Sequence, residues 1–432
     1  MTEENHETAI MVGVRIGHET HVGLTLDESM LELEMLAETA GIDVLGSLTQ
    51  NLARPNSRTY IGKGKVEELK LLAEELDVDT ILFDDELSPR HQRELESEFT
   101  QDVKILDRTA LILDIFAQHA DTREGMLQVE LAQYKYRLPR LTRAWTHLAR
   151  QSGGATGRSG SVGGVGLRGP GEMQLEVDRR EINKKIDKLE EDLEKVRQHR
   201  ERYRRQRRKT NIPVVALVGY TNAGKSTLLN ALTESDLYVA AQLFATLDPT
   251  TRQLELPTGE TVLLTDTVGF IQKLPTDLIA AFRATLEEIT EADLLLHVID
   301  GSHENADSQR RTVLETLEEI GAGEIPLLNV YNKIDLLDDE SLLELKESTD
   351  PLALFISAKE RTGFEQLTAA ISTGVNQGFE RFVVLLPHDA GRLVSMFHEK
   401  GHVETLEHVE AGVRITGLLP VPLFSFFEDY IE

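Results

Sequence analysis

The sequence predicts an α/β protein built from four consecutive units, and three observations carry that prediction. Residues 1–108 alternate strand-like apolar runs with amphipathic helix-like runs, the pattern of a parallel α/β layer. Residues 109–210 carry a heptad seam interrupted by one glycine-rich stretch, which reads as an antiparallel helical hairpin with a Gly-rich tip. The run VVALVGYTNAGKSTLL, Val214–Leu229, has the strand–loop–helix grammar of a phosphate loop at the head of a mostly parallel sheet. The expected units are an N-terminal α/β domain (1–108), the hairpin (109–210, loop 152–171), the phosphate-loop domain (211–378) and a small C-terminal α+β domain (379–432).

Composition narrows the function classes. The 432 residues include no cysteine, so disulfides and thiolate metal sites are excluded. The acidic start MTEENHETA does not read as a signal peptide. No apolar run approaches the roughly 18 residues of a membrane span, so a cytoplasmic location is expected, with at most peripheral membrane contact. Asp and Glu number 74 against 46 Lys and Arg, a net charge of −28. Because the charge is uneven, acidic beyond Asp338 and basic over Val196–Lys209, it reads as salt adaptation of a halophilic source rather than uniform repulsion of nucleic acid. An unfolding midpoint that rises with KCl is the expected consequence.

In the first unit, strands are expected at Ala9–Ile16, Asp43–Leu48, Thr80–Phe83 and Val103–Leu106. Helices are expected at Ser29–Thr39, Val66–Leu76 and Ser88–Phe99, from apolar residues at helical spacing. Gly62-Lys63-Gly64-Lys65 before the second helix is a candidate phosphate contact, against the plainer reading of a turn with solvated lysines.

In the second unit Leu127, Leu131, Tyr134, Leu138, Leu141, Trp145 and Leu148 form one seam, with Pro139 expected to kink or break it. Ile182, Ile186, Leu189, Leu193 and Val196 form the return seam. Ser152–Gly171 between them holds nine glycines with Arg158 and Arg168, suited to insertion into structured RNA or to a plain linker. Arg197–Lys209 holds eight basic residues and one acid. It is the best nucleic-acid surface in the sequence, the alternative being a solvated helix end.

In the third unit, strands are expected at Val214–Val218, Arg252–Leu256, Thr261–Thr265, Leu294–Ile299, Leu327–Tyr331 and Ala353–Ile356, and a helix at Asp277–Thr290. Pro257–Glu260 signals a hairpin. The loop Gly219, Tyr220, Thr221, Asn222, Ala223, Gly224, Lys225 and Ser226 would wrap phosphates with backbone N–H groups. Lys225 would reach the β- and γ-phosphates and Ser226 would ligate Mg²⁺. Asp266, Thr267, Val268 and Gly269 follow the third strand. Asp266 can hold Mg²⁺ through a water, and the Gly269 amide can meet the γ-phosphate. Asn332, Lys333, Ile334 and Asp335 follow the fifth strand, and a carboxylate at Asp335 selects guanine over adenine. Ser357, Ala358 and Lys359 follow the sixth and would offer a backbone N–H to guanine O6. The four motifs in order, each at a strand end, predict binding and hydrolysis of GTP to GDP. Phe270 stands where many such enzymes place a water-orienting glutamine, so hydrolysis should need help from a backbone, a cation or a partner. Asn222 is a candidate K⁺ ligand or a simple loop cap. Lys225 and Gly269 belong to the expected catalytic set, with Ser226 on the metal.

The fourth unit reads as short strands at Phe382–Leu386, Val403–Leu406 and Gly412–Ile415 and a helix at Ala390–Lys400, with an apolar Pro420–Phe427 that docks. His388, His398, His402 and His408 lack metal spacing.

These residues resemble the HflX family of translation-associated P-loop GTPases within the Obg–HflX superfamily. GYTNAGKSTLLNAL, Phe244–Arg252, DTVGFIQKLPTDLIAAFRATLEE, YIGKGKVEEL and GEMQLEVDRR carry the resemblance across nearly the whole chain. It implies that Thr246, among Phe244, Ala245, Thr246, Leu247 and Asp248 near the nucleotide, is the switch threonine on Mg²⁺ and the γ-phosphate. Spacing alone leaves Thr250 and Thr251 open. It further implies a monomer that binds the large ribosomal subunit and its RNA, splits or rescues ribosomes under stress, and takes adenine nucleotide at the N-terminal domain, where Gly62–Lys65 is the candidate. A GTP-gated RNA-binding scaffold for ribosome assembly is the competing class.

Overall fold

The computed structural model describes residues 7–17, 25–99, 103–141, 170–210, 212–233, 243–244, 246–273, 283–376, 379–420, 423 and 426–432. The expected glycine tip with Arg158 and Arg168, Trp145 and Leu148 of the first seam, Ala245, and the first part of the Asp277–Thr290 helix lie outside them.

The first sheet is parallel, in the order β2-β1-β3-β4, from β1 (Glu7–Ile16), β2 (Ile42–Leu52), β3 (Thr80–Phe83) and β4 (Lys104–Asp107). Helices α1 (Leu26–Thr39), α2 (Lys63–Leu76) and α3 (Pro89–Glu98) connect them. Thr25 and Glu28 form a capping box that starts α1. β2 runs four residues beyond the expected Leu48. As an edge strand bonded only to β1, it alternates exposed and sheltered residues throughout, but the sheltered Gly46 and Gln50 carry no apolar signal in the sequence. α4 (Arg108–His119) starts immediately after β4 and packs Leu111, Ile112, Ile115 and Phe116 into the core shared with Ala9, Met11 and Leu33.

α5 (Arg123–Arg137) stops at Pro139 in a 3₁₀ turn, Leu138–Arg140, as a ring without an N–H requires. It packs against the long α6 (Pro170–Thr210) through Leu127, Leu131, Tyr134 and Leu138 on Ile182, Ile186, Leu189 and Leu193. Glu124 pairs with Arg200 at one end and Lys185 meets Tyr134 at the other, so the two helices run antiparallel. At the basic end of α6, Arg200 is drawn into protein contacts, and the side chains from Tyr203 to Thr210 lie outside the described residues. Arg200 reaches Glu124 at 2.8 Å and Glu288 at 3.4 Å, and Arg197 lies 3.8 Å from Glu287. Arg200 faces protein because α6 passes beside α8 (Arg283–Thr290), whereas Arg197 remains exposed. Arg202 is exposed.

The second sheet has the order β10-β9-β8-β5-β7-β6, from β5 (Val214–Gly219), β6 (Thr250–Glu255), β7 (Thr261–Asp266), β8 (Leu294–Asp300), β9 (Leu327–Asn332) and β10 (Leu354–Phe355). All pairs are parallel except the β6–β7 hairpin. β8 is buried along its whole length, as a strand covered on both faces must be. α7 (Lys225–Thr233) follows the phosphate loop. α9 (Ala306–Glu319), α10 (Asp339–Ser348) and α11 (Phe364–Val375) complete the layers. The last sheet is antiparallel, β11-β13-β12, from β11 (Phe379–Leu386), β12 (His402–Val409) and β13 (Gly412–Pro420). It carries α12 (Gly391–Lys400), whose Phe397 meets Phe427 edge-on at 5.6 Å. Among the described residues no His, Asp and Glu cluster could hold a metal, and no helix is long and apolar enough to cross a membrane.

Candidate nucleotide site

β5 is central, between β7 and β8, and its last residue opens the phosphate loop. A Cβ on Gly219 would strike the Val298 carbonyl oxygen, and one on Gly224 (φ +95°) would strike the Asn332 side chain. Both glycines are therefore fixed by close approach as well as by backbone conformation. Asn222 is exposed and left-handed, with φ 60°. The loop closes on Lys225, whose buried Nζ donates to the carbonyls of Gly219 at 3.0 Å and Tyr220 at 2.8 Å. Burial pushes the Lys225 ammonium down to about 8, with Asp266 pulling the other way. The sign is definite. A phosphate beside Nζ restores the ordinary lysine range, so above pH ~8 nucleotide binding takes up a proton and its affinity falls, by up to about tenfold per pH unit. Calorimetric Kd values between pH 7 and 9.5, with proton uptake from buffers of different ionisation enthalpy, check this. The apo protein gains stability over the same range, because the unfolded lysine still holds its proton.

Three oxygens converge beside Lys225. Ser226 Oγ donates to Asp266 Oδ2 at 2.6 Å and lies 2.9 Å from Thr246 Oγ1, which is itself 3.2 Å from Asp266 Oδ2. Asp266 Oδ1 is buried without a partner among the described residues, and burial raises this carboxyl above its ordinary range. Two hydroxyls and an under-satisfied carboxylate, all oxygen, suit a hard divalent cation such as Mg²⁺. Of the three threonines that spacing leaves open, Thr246 is the one in this cluster. Thr251 Oγ1 bonds Thr265 at 3.0 Å, and Thr250 begins β6.

After β7 the chain lies against the phosphate loop. Thr267 Oγ1 donates to Leu217 O at 2.6 Å, and Val268 is buried. A Cβ on Gly269 would come within 2.9 Å of Thr221 Cα and 3.1 Å of Lys225 Nζ. Phe270 N–H donates to Gly219 O at 3.1 Å, and Thr221 N–H to Phe270 O at 2.8 Å. The Phe270 ring is buried in the core with Tyr220 and Phe244. It offers no polar atom to a water.

At the other end, Asn332 ties two motifs together. Its Nδ2 donates to Ala223 O at 2.9 Å and its Oδ1 accepts from Ala358 N–H at 2.9 Å. Lys333 (φ 63°) pairs with Asp300 at 2.6 Å. Ile334 N–H meets Ile356 O at 3.3 Å. Ser357 Oγ donates to Asp335 Oδ1 at 2.6 Å, steadying an otherwise exposed carboxylate. The Ser357 and Ala358 amides are both engaged within the protein, and the Lys359 side chain is exposed.

Four side chains expected near the nucleotide are placed elsewhere. The Tyr220 hydroxyl accepts from Gln272 N–H at 2.8 Å and donates to Glu32 of α1. Phe244 meets Phe116 edge-on at 4.7 Å, and Leu247 is buried. Asp248 turns its carboxylate to the start of α5, where it accepts from Asp121 N–H at 2.9 Å and Thr122 N–H at 2.7 Å. Only backbone from these four can face a ligand. At the first sheet, the Gly62 amide is engaged by Gln50 at 2.9 Å, and Lys65 pairs with Glu68.

Sequence reasoning missed a buried charge network that touches the site. Arg108 sits between Glu32 and Asp84, Ser29 bonds Asp84 at 2.7 Å, and Lys273 reaches Asp84 at 2.5 Å and Asp85 at 2.7 Å. Its one local signal is the lysine four residues after Gly269.

Three family models match consecutive stretches: "GTP-binding GTPase N-terminal" over residues 27–117, "GTP-binding GTPase Middle Region" over 119–207, and "50S ribosome-binding GTPase" over 214–333. The chain is 49% identical over 389 residues to the GTPase HflX of Caldanaerobacter subterraneus subsp. tengcongensis, covering 90% of this chain and 87% of that one. It is 44% identical over 428 residues to GTPase HflX of Lacrimispora saccharolytica, covering 99% and 97%. The Escherichia coli K12 GTPase HflX is 44% identical over 389 residues, covering 89% and 88%.

Proposed function

The chain belongs to the HflX family of GTPases, and from that premise we propose that it is a switch that couples GTP hydrolysis to separation or rescue of ribosomes under stress. It is a GTP-binding, GTP-hydrolysing, ribosome-associated protein of that family, with the Mg²⁺ dependence typical of the class. The observation that carries the proposal is the convergence of Ser226, Thr246 and Asp266 beside Lys225.

In this reading the amides of Tyr220 to Ser226 cradle the phosphates, and Lys225 moves from the Gly219 and Tyr220 carbonyls onto the β- and γ-phosphates. Ser226 and Thr246 would hold Mg²⁺, with Asp266 beside them to hold a water of the ion; when bound, the ion would supply charge neutralisation to the reacting phosphates. The Gly269 amide meets the γ-phosphate. Asp335 reads guanine N1–H and the 2-amino group, and the Lys359 amide, its two neighbours being engaged, meets guanine O6. Phe270 leaves the attacking water without a side-chain partner, so a further group completes the chemistry. K⁺ at Asn222 and partner RNA are the two sources favoured by this loop and by the basic end of α6. The protein acts as a monomer of four domains, with the expected 108/109 boundary moved past α4, which packs with the first sheet. The first sheet takes an adenine nucleotide near Gly62–Lys65, and hydrolysis rates at equal ionic strength in K⁺ and Na⁺ test the cation.

The deciding experiment is ribosome sedimentation with GTP, GDP and a non-hydrolysable analogue, using the intact protein and a deletion of residues 153–169. GTP-dependent conversion of whole ribosomes to subunits, lost in the deletion, is expected. Preferential association with immature particles, without stimulated hydrolysis, would overturn the reading in favour of an assembly scaffold.

A further inference from the structure

We propose that Asp248 is a positioning residue for hydrolysis, fastening the segment that carries Thr246 to the first turn of α5 at the root of the helical arm. The inference rests on the reading of Thr246 as the switch threonine.

Thr246 is bracketed by two anchors on the same neighbouring layer. On one side, Leu243 N–H donates to Thr39 Oγ1 of α1 at 3.3 Å, and the Phe244 ring sits on Phe116 of α4. On the other, the Asp248 carboxylate accepts three donors at the start of α5: the amides of Asp121 and Thr122 and the Thr122 hydroxyl. These include the amide of Thr122, the N-cap residue of α5, which a helix start leaves without an intrahelical partner, and the anion also meets the positive end of the helix. The Thr122 hydroxyl accepts from Gly125 N–H at 3.0 Å at the same time. The fit is close enough to specify a residue on the far side, since a Cβ on Gly125 would strike the Asp248 carboxylate.

α5 is also one half of the arm. Its Glu124, one residue before Gly125, pairs with Arg200 of α6 at 2.8 Å, and Leu131 packs on Ile186 and Leu189. A load that shifts α5 and α6 therefore shifts Asp248, and Thr246 lies two residues away. Linkage makes the coupling reciprocal. A γ-phosphate that fixes Thr246 biases the seat of the arm, and a partner that fixes the arm biases Thr246.

The test compares Asp248→Asn, Asp248→Ala and Gly125→Ala with wild type and with Thr246→Ala. The readouts are affinity for GDP and for a non-hydrolysable GTP analogue, and kcat with and without purified large ribosomal subunits. GDP has no γ-phosphate, so its affinity should stay within about twofold of wild type. Analogue affinity and the stimulated kcat should each fall about tenfold, with Gly125→Ala matching Asp248→Ala from the opposite side of the contact. An equal loss of GDP and analogue affinity makes the contact merely structural and overturns the proposal. So does wild-type behaviour of all three variants while Thr246→Ala abolishes analogue preference. If Thr246→Ala itself retains wild-type analogue affinity and turnover, the reading of the switch threonine fails first. The analogue-to-GDP ratio needs no ribosome and decides the matter if stimulation is absent.

Discussion

Asp335→Asn is expected to lower GTP affinity by about three orders of magnitude and to create binding of xanthosine triphosphate. The argument is one of donors and acceptors. Guanine presents N1–H and an amino group to this position, and a carboxylate accepts from both. An asparagine there opposes one donor with its own amide N–H₂, leaving polar hydrogens face to face in a closed contact. Xanthine carries a carbonyl in place of the amino group, so the asparagine amide finds an acceptor and its oxygen still meets N1–H. The surrounding geometry favours a clean exchange. Ser357 Oγ holds Asp335 Oδ1 at 2.6 Å, and a hydroxyl can donate equally to an asparagine oxygen. Asn332 holds the base-side loops through Ala223 and Ala358 without using Asp335. Direct titration of wild type and variant with labelled GTP and labelled xanthosine triphosphate, with ATP as competitor, measures the switch. Retained GTP preference in the variant would remove Asp335 from base recognition.

The parts legible in the sequence were those whose partners are close along the chain or fixed by period. Gly219 to Ser226 is local, and a strand before it and a helix after it suffice to interpret it. The α5–α6 seam was legible because a seven-residue period survives without knowledge of the partner, as Leu131 on Ile186 and Leu189 demonstrates. The misses are of another kind. Arg200 belongs to a run that reads as a nucleic-acid surface or a solvated helix end, yet its guanidinium lies between Glu124 and Glu288. No pattern near residue 200 announces an acid 76 or 88 positions distant. Tyr220 and Asp248 fall inside nucleotide-binding motifs, so proximity assigned them to the ligand. In the structure both side chains serve the neighbouring layer instead. The motif fixed their backbones, and tertiary packing decided where their side chains went.

Arg108→Ala is the substitution expected to cost the most stability, about 3–5 kcal/mol. Arg108 is fully buried between Glu32 of α1 and Asp84 at the end of β3. Burial lowers the guanidinium to about 10, so it remains charged at neutral pH. Removing it leaves two carboxylates in the interior, and among the described residues only Asp84 keeps a cation, Lys273. Asp84 is already raised by burial, with Lys273 as its main opposing influence. Its remedy is to take up a proton, which weakens that pair in turn. The damage reaches the nucleotide side as well, because Glu32 receives the Tyr220 hydroxyl and Tyr220 receives the Gln272 amide. A melting midpoint lowered by on the order of 10 °C is expected, followed by the far-ultraviolet signal of the N-terminal layer because a chain of several domains need not unfold in one step. The double variant Arg108→Met with Glu32→Leu separates buried charge from packing. It removes one charge of each sign, keeps Asp84 with Lys273 and Ser29, and should recover most of the loss, since an apolar pair of similar volume often equals a buried ion pair. If the double variant melts as low as Arg108→Ala, shape rather than uncompensated charge holds this junction together.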